Sequence, residues 1–141
     1  MLSSIFAEVG IAAAYGVIGL VLMALGFVLV DVLTPGNLRE QVWAQRNLNA
    51  SVLLTSNLIG IGIIVATAIA ASSGNVVAGL VSTGAYGLLG LVLMGLSFLI
   101  IDAVTPVKLG ATLVDPTPHP GVYVNGASHI AVSAIVAVAI F

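Results

Sequence analysis

The sequence predicts an all-α integral membrane protein with four transmembrane helices, built as two helical-hairpin repeats of the same orientation. Three observations predict it. Of 141 residues, 60% are hydrophobic and 6% charged, with a mean hydropathy of +1.27, whereas a soluble domain carries roughly 25% charged residues. Four apolar runs, about 5–33, 51–71, 76–104 and 122–141, each reach the roughly 20 residues needed to cross the hydrocarbon of a bilayer. Finally, Tyr15-Gly16-Val17-Ile18-Gly19-Leu20-Val21-Leu22-Met23 returns as Tyr86-Gly87-Leu88-Leu89-Gly90-Leu91-Val92-Leu93-Met94, an offset of 71 that also matches Asp31 to Asp102, Thr34-Pro35 to Thr105-Pro106 and Leu38 to Leu109. Self-similarity on this scale marks a duplication. It divides a single membrane domain, 1–141, into repeat A at about 8–71 and repeat B at about 79–141.

The first run is preceded by no cationic region, so the N-terminus is expected to be retained rather than removed as a signal peptide. Within it, Ala12, Gly16, Gly19, Met23, Gly26 and Val30 recur with a period of 3.5 residues, and the third run repeats them as Thr83, Gly87, Gly90, Met94, Ser97 and Ile101. That period is the seam of left-handed helix packing, and glycine there permits close backbone approach. The expectation is that Gly16, Gly19, Gly26, Gly87, Gly90 and Ser97 pack the two matched helices together. On the second run, Gly62, Ala66 and Ala70 form a shorter seam of the same kind.

The two connections, about 35–49 and 106–120, hold all three cations, Arg39, Arg46 and Lys108. By the positive-inside rule they are cytoplasmic, which places both termini outside. In the first connection, Thr34-Pro35 suits the N-cap and first position of a short interfacial helix. Leu38, Val42 and Trp43 then share one face, with Trp43 at the headgroup level. In the second, Asp115-Pro116-Thr117-Pro118-His119-Pro120 forces an extended turn and leaves His119 at the surface.

Asp31 and Asp102 are acidic groups at the ends of apolar runs, and charges at membrane depth are functional candidates by default. Two readings stand side by side. The pair is either structural, with Asp31 capping backbone donors at the start of the Pro35 segment or pairing with Arg39 or Arg46, or it forms a proton or cation site. Deeper in the return helices lie Asn57, its repeat equivalent Ser128, and His129, whose equivalent is Leu58. Groups of this type usually hydrogen-bond between helices, and the histidine is a candidate for titration. No nucleophile stands beside a base, no metal-spaced cluster occurs, and no glycine-rich loop leads to a lysine, so neither an enzyme nor a cofactor or metal is expected. Absence of cysteine excludes disulfides and thiolate sites. Three cations exclude a nucleic-acid surface.

The duplicated Tyr-Gly, the glycine-rich helix and the motif Asp31-Val32-Leu33-Thr34-Pro35, repeated as Asp102-Ala103-Val104-Thr105-Pro106, resemble the bacterial inner-membrane family of domain of unknown function 350. The resemblance covers essentially the whole chain. It implies the four-helix layout and the bacterial plasma membrane, and no settled activity comes with it. The functional expectation is an oligomeric structural or accessory subunit of a membrane assembly, either a homo-oligomer or part of a larger membrane complex, in contact with membrane lipids. The alternative is a proton or cation channel or transport component using Asp31 and Asp102.

Overall fold

The computed structural model describes residues 1–141. It contains α1 (Leu2–Leu33), α2 (Leu38–Trp43), α3 (Leu48–Ala71), α4 (Val76–Val104), α5 (Leu109–Val114) and α6 (Pro120–Ile140), and no strands. α1, α3, α4 and α6 are long and apolar enough to span a membrane, matching the four expected runs.

The punctuation is local. A residue before proline is pushed out of the α region, and Thr34 and Thr105, each followed by proline, are extended and end α1 and α4. Asn47 and Asn75 then cap α3 and α4, each accepting two backbone amides with its side chain. α6 starts on Pro120 behind His119, whose Nδ1 accepts the Gly121 amide at 3.0 Å. His119 is thus a half-buried cap rather than a free loop residue.

The first connection departs from expectation in one respect. Thr34 is buried and closes α1, and α2 begins only at Leu38, with Asn37 as its N-cap. Thr34 does not initiate a helix here, because the chain after Pro35 turns through Gly36, at φ 87°, a left-handed conformation that a helix cannot contain. Gln41 consequently faces inward and donates to the Pro35 carbonyl at 2.6 Å, while Trp43 stays 64% exposed.

α3 and α6 share the most extensive helix interface. α4 packs on both, and α1 packs on α3 and α4, with little or no direct contact between α1 and α6. One apolar cluster gathers at the connection end, around Val30, Leu53, Phe98 and Leu113; a second, around Leu22, Ile61, Ile64 and Met94, fills the rest of the bundle. In lipid, helices associate by close packing rather than by burial from water, and here the glycines accept neighbouring side chains. Leu22 fills the space above Gly87, Ile64 that above Gly90, and Ile61 with Asn57 that above Gly26. Gly19 meets Val65, Ser97 bonds to α6, and Gly16 faces open space.

At the opposite end, the polar turn at Ser72–Asn75 sits beside Ile11 and Tyr15, and the Tyr15 hydroxyl lies 3.0 Å from the Ser72 hydroxyl. The segment 1–10 passes beyond that turn and is exposed throughout.

Candidate functional site

A chain leaving one helix and starting another strands the first amides of the new helix without partners. In both connections the aspartate meets this need. Asp31 Oδ1 accepts the Leu38 amide at 3.0 Å, and Asp102 Oδ1 accepts the Leu109 amide at 2.8 Å. A carboxylate is disfavoured at the C-terminus of its own helix but favoured at the N-terminus of the next. The Asp-x-x-Thr-Pro spacing places it at both at once, so the second contact offsets the first. Lys108 Nζ approaches Asp102 Oδ2 at 3.4 Å, a solvent-exposed contact and the only ion pair in the structure. Arg39 and Arg46 do not pair with Asp31. Each carboxylate is directed at its own connection.

The two connections are joined by asparagines that the sequence reading did not single out. Asn47 Nδ2 donates to the Leu113 carbonyl at 2.9 Å. Asn49 Nδ2 donates to the carbonyls of Thr112, Asp115 and Thr117 at 3.1, 3.1 and 2.8 Å, and its Oδ1 accepts the His119 amide at 3.0 Å. Both side chains are buried. Proline-rich segments cannot satisfy their carbonyls in a helix, so Asn49 serves as their donor. The visible signal was two asparagines flanking Leu48 at a helix start, which looks the same as an ordinary cap.

A polar layer lies deeper. Asn57 and His129 each stand nine residues into their return helices, α3 and α6, about 13 Å of rise and close to the middle of a hydrocarbon core about 30 Å thick. The helices bring them to one level: Ser56 abuts Gly126, and Gly60 abuts the His129 carbonyl, Ser133 and Met94. Asn57 Nδ2 donates to Met94 Sδ at 3.3 Å, and the Ser97 and Ser128 hydroxyls lie 3.0 Å apart across α4 and α6. Asn57, Asn125 and His129 are buried, yet Asn57 Oδ1, Asn125 Nδ2 and both His129 ring nitrogens lack hydrogen-bond partners. Buried polar atoms are nearly always satisfied, which makes this layer the strongest candidate for chemistry inside the bundle. Of the sequence-selected residues, Asn57, Ser128 and His129 therefore meet at one depth, while Asp31 and Asp102 serve the connections. No three acidic, histidine or cysteine side chains come together in metal-binding geometry.

The family described as Domain of Unknown Function (DUF350) matches residues 3–140, and the chain belongs to it. It is 33% identical to a UPF0719 transmembrane protein of Mycolicibacterium paratuberculosis over 89% of this chain and 83% of that one. UPF0719 transmembrane proteins of Mycobacterium bovis and Mycobacterium tuberculosis are each 31% identical over the same shares. No solved structure matches. The protein is a small multi-pass transmembrane member of an uncharacterised family.

Proposed function

We propose that this chain is an oligomeric structural or accessory subunit of a bacterial plasma-membrane assembly, made of two same-orientation hairpin repeats with their connections in the cytoplasm and both termini outside. The duplication is supported by the offset of 71 at which both the aspartates and the amides they accept recur. Orientation is supported by Arg39, Arg46 and Lys108, all in the connections.

The carrying observation is the outer end of α1. Residues 11–33 of that helix rise about 34 Å, enough for the whole hydrocarbon core. Residues 2–10 extend roughly 13 Å further, past the polar turn. On this extension Leu2, Ile5, Phe6 and Val9 follow helical spacing on one side and are 72, 48, 73 and 60% exposed. An apolar stripe beyond the hydrocarbon calls for cover by protein. The chain has no native cysteine, so Phe6→Cys and Val9→Cys variants report on that cover directly. Oxidation in native membranes is expected to give disulfide-linked dimers or an adduct with a second membrane protein. A chain that stays uncrosslinked at both positions, and runs as a monomer in nanodiscs, would refute this reading.

A second reading is favoured by the unpartnered atoms of Asn57, Asn125 and His129: proton or cation conduction along the bundle, with Asp31 and Asp102 at its cytoplasmic end. Liposomes holding the purified protein would then carry a flux that falls in Asp31→Asn/Asp102→Asn and in His129→Leu. Absence of flux from the unmutated protein removes it.

A further inference from the structure

Where α2 folds back beside α1, Phe27, Arg39 and Trp43 line an open cleft of about 590 Å³. The two rings lean on each other, centroids 6.3 Å apart and planes at 38°. Phe27 lies six residues before the end of α1, about 9 Å inside the membrane. Arg39 and Trp43 follow on α2, at the level where the chain turns back. The cleft therefore has an apolar floor within hydrocarbon, a tryptophan at the interface, and a guanidinium at its mouth. Arg39 is exposed and unpaired, the sole ion pair being Lys108 with Asp102. Its neighbour Glu40 points about 100° away around the helix.

Nothing comparable exists in the other half. At the same offset stand Phe98, Gly110 and Val114. Phe98 is only 4% exposed and belongs to the core, and Gly110 backs onto Pro35. At the equivalent positions the second connection thus has neither a cation nor a free aromatic face, so the cleft is not a by-product of the shared hairpin geometry.

We propose that this cleft is a binding site for an anionic phospholipid of the leaflet at the connection end, with the phosphate on the Arg39 guanidinium and an acyl chain along Phe27 and Trp43. The planar guanidinium offers forked donors to phosphate oxygens. Tryptophan is suited to the boundary between headgroup and chain. A zwitterionic lipid fills the same apolar floor but gains no net attraction to the cation, and that difference sets the selectivity.

Trp43 is the only tryptophan, so its fluorescence reads the site alone. The full chain is reconstituted in phosphatidylcholine vesicles containing equal mole fractions of either chain-brominated phosphatidylglycerol or chain-brominated phosphatidylcholine. The glycerol lipid is expected to quench Trp43 as though enriched about fivefold beside it, the scale of one basic side chain at an anionic surface. Arg39→Gln brings quenching down to the phosphatidylcholine level, while Lys108→Gln leaves the preference intact. Equal quenching by the two lipids in the unmutated chain overturns the proposal, as does a preference that survives Arg39→Gln with helicity unchanged. The comparison on the unmutated chain stands even if the variant misfolds.

Discussion

Asp31 and Asp102 each hold the first backbone amide of the following short helix through one carboxylate oxygen, Oδ1. Asp31→Asn keeps an acceptor for the Leu38 amide and is expected to unfold within about 0.5 kcal/mol of the parent in a bicelle denaturation titration; Asp31→Ala strands the amide and loses about 1–2 kcal/mol. Both readings of these residues were visible in the sequence, because the aspartate precedes a Thr-Pro break by only three positions. What the sequence lacked was the direction of the side chain, which the turn after Pro35 determines. The glycines make a second residue-scale test. An alanine at Gly87 overlaps the packed Leu22 side chain, so Gly87→Ala is expected to cost about 1–3 kcal/mol. Gly16 has nothing near it, and Gly16→Ala is expected to raise stability by up to about 1 kcal/mol through helix propensity. The same titration reads both signs. The 3.5-residue period singled out these glycines alike and could not separate a socket for leucine from open surface.

At the scale of elements, the four long helices were legible almost to their ends, because hydropathy and length define a span without reference to partners. The short helix α2 was less so. Thr34-Pro35 and Asn37 both satisfy the local rules for a helix start, and the choice falls to Asn37 because the chain must first reverse across Gly36. The asparagine clamp between the connections is the element-scale device with the largest expected effect. Asn49→Ala removes the donor for three carbonyls and the acceptor for the His119 amide. It is expected to lower stability by about 2–4 kcal/mol, given about 1–3 kcal/mol for each buried group left unpaired and partial rescue by water. Amide hydrogen exchange across 109–121 should accelerate in that variant while α4 stays protected. Uniform acceleration over the whole bundle would show that the clamp is not local.

For the whole molecule, the helix arrangement was the least legible part. The duplication suggested that matched helices meet at matched depth, and α3 with α6 approach this: Ser56 meets Gly126 at nearly the repeat offset. α1 and α4 do not. Leu22 lies against Gly87, six positions short of its own equivalent Leu93, and α3 packs extensively on α4 while the equivalent pair, α1 with α6, does not. Packing in lipid follows side-chain shape, and Leu22, Ile61 and Ile64 are shapes that a pattern of small residues does not specify. The N-terminal extension of α1 gives the molecular-scale prediction. Deleting residues 2–9 is expected to change unfolding by less than about 1 kcal/mol, as for surface changes that remove no contact, yet to shift the particle mass in nanodiscs to that of the monomer. Loss of the fold in that variant would mean that the extension belongs to the bundle rather than to an interface. The Asn49 clamp also imposes an order on biosynthesis. Its partners lie 63 to 70 positions downstream, so the first hairpin leaves the ribosome with its key asparagine unanswered and matures only after the second connection has been translated. A chain arrested before residue 112 would hold three of the four spans but leave its connections unlocked, open to quality-control proteolysis.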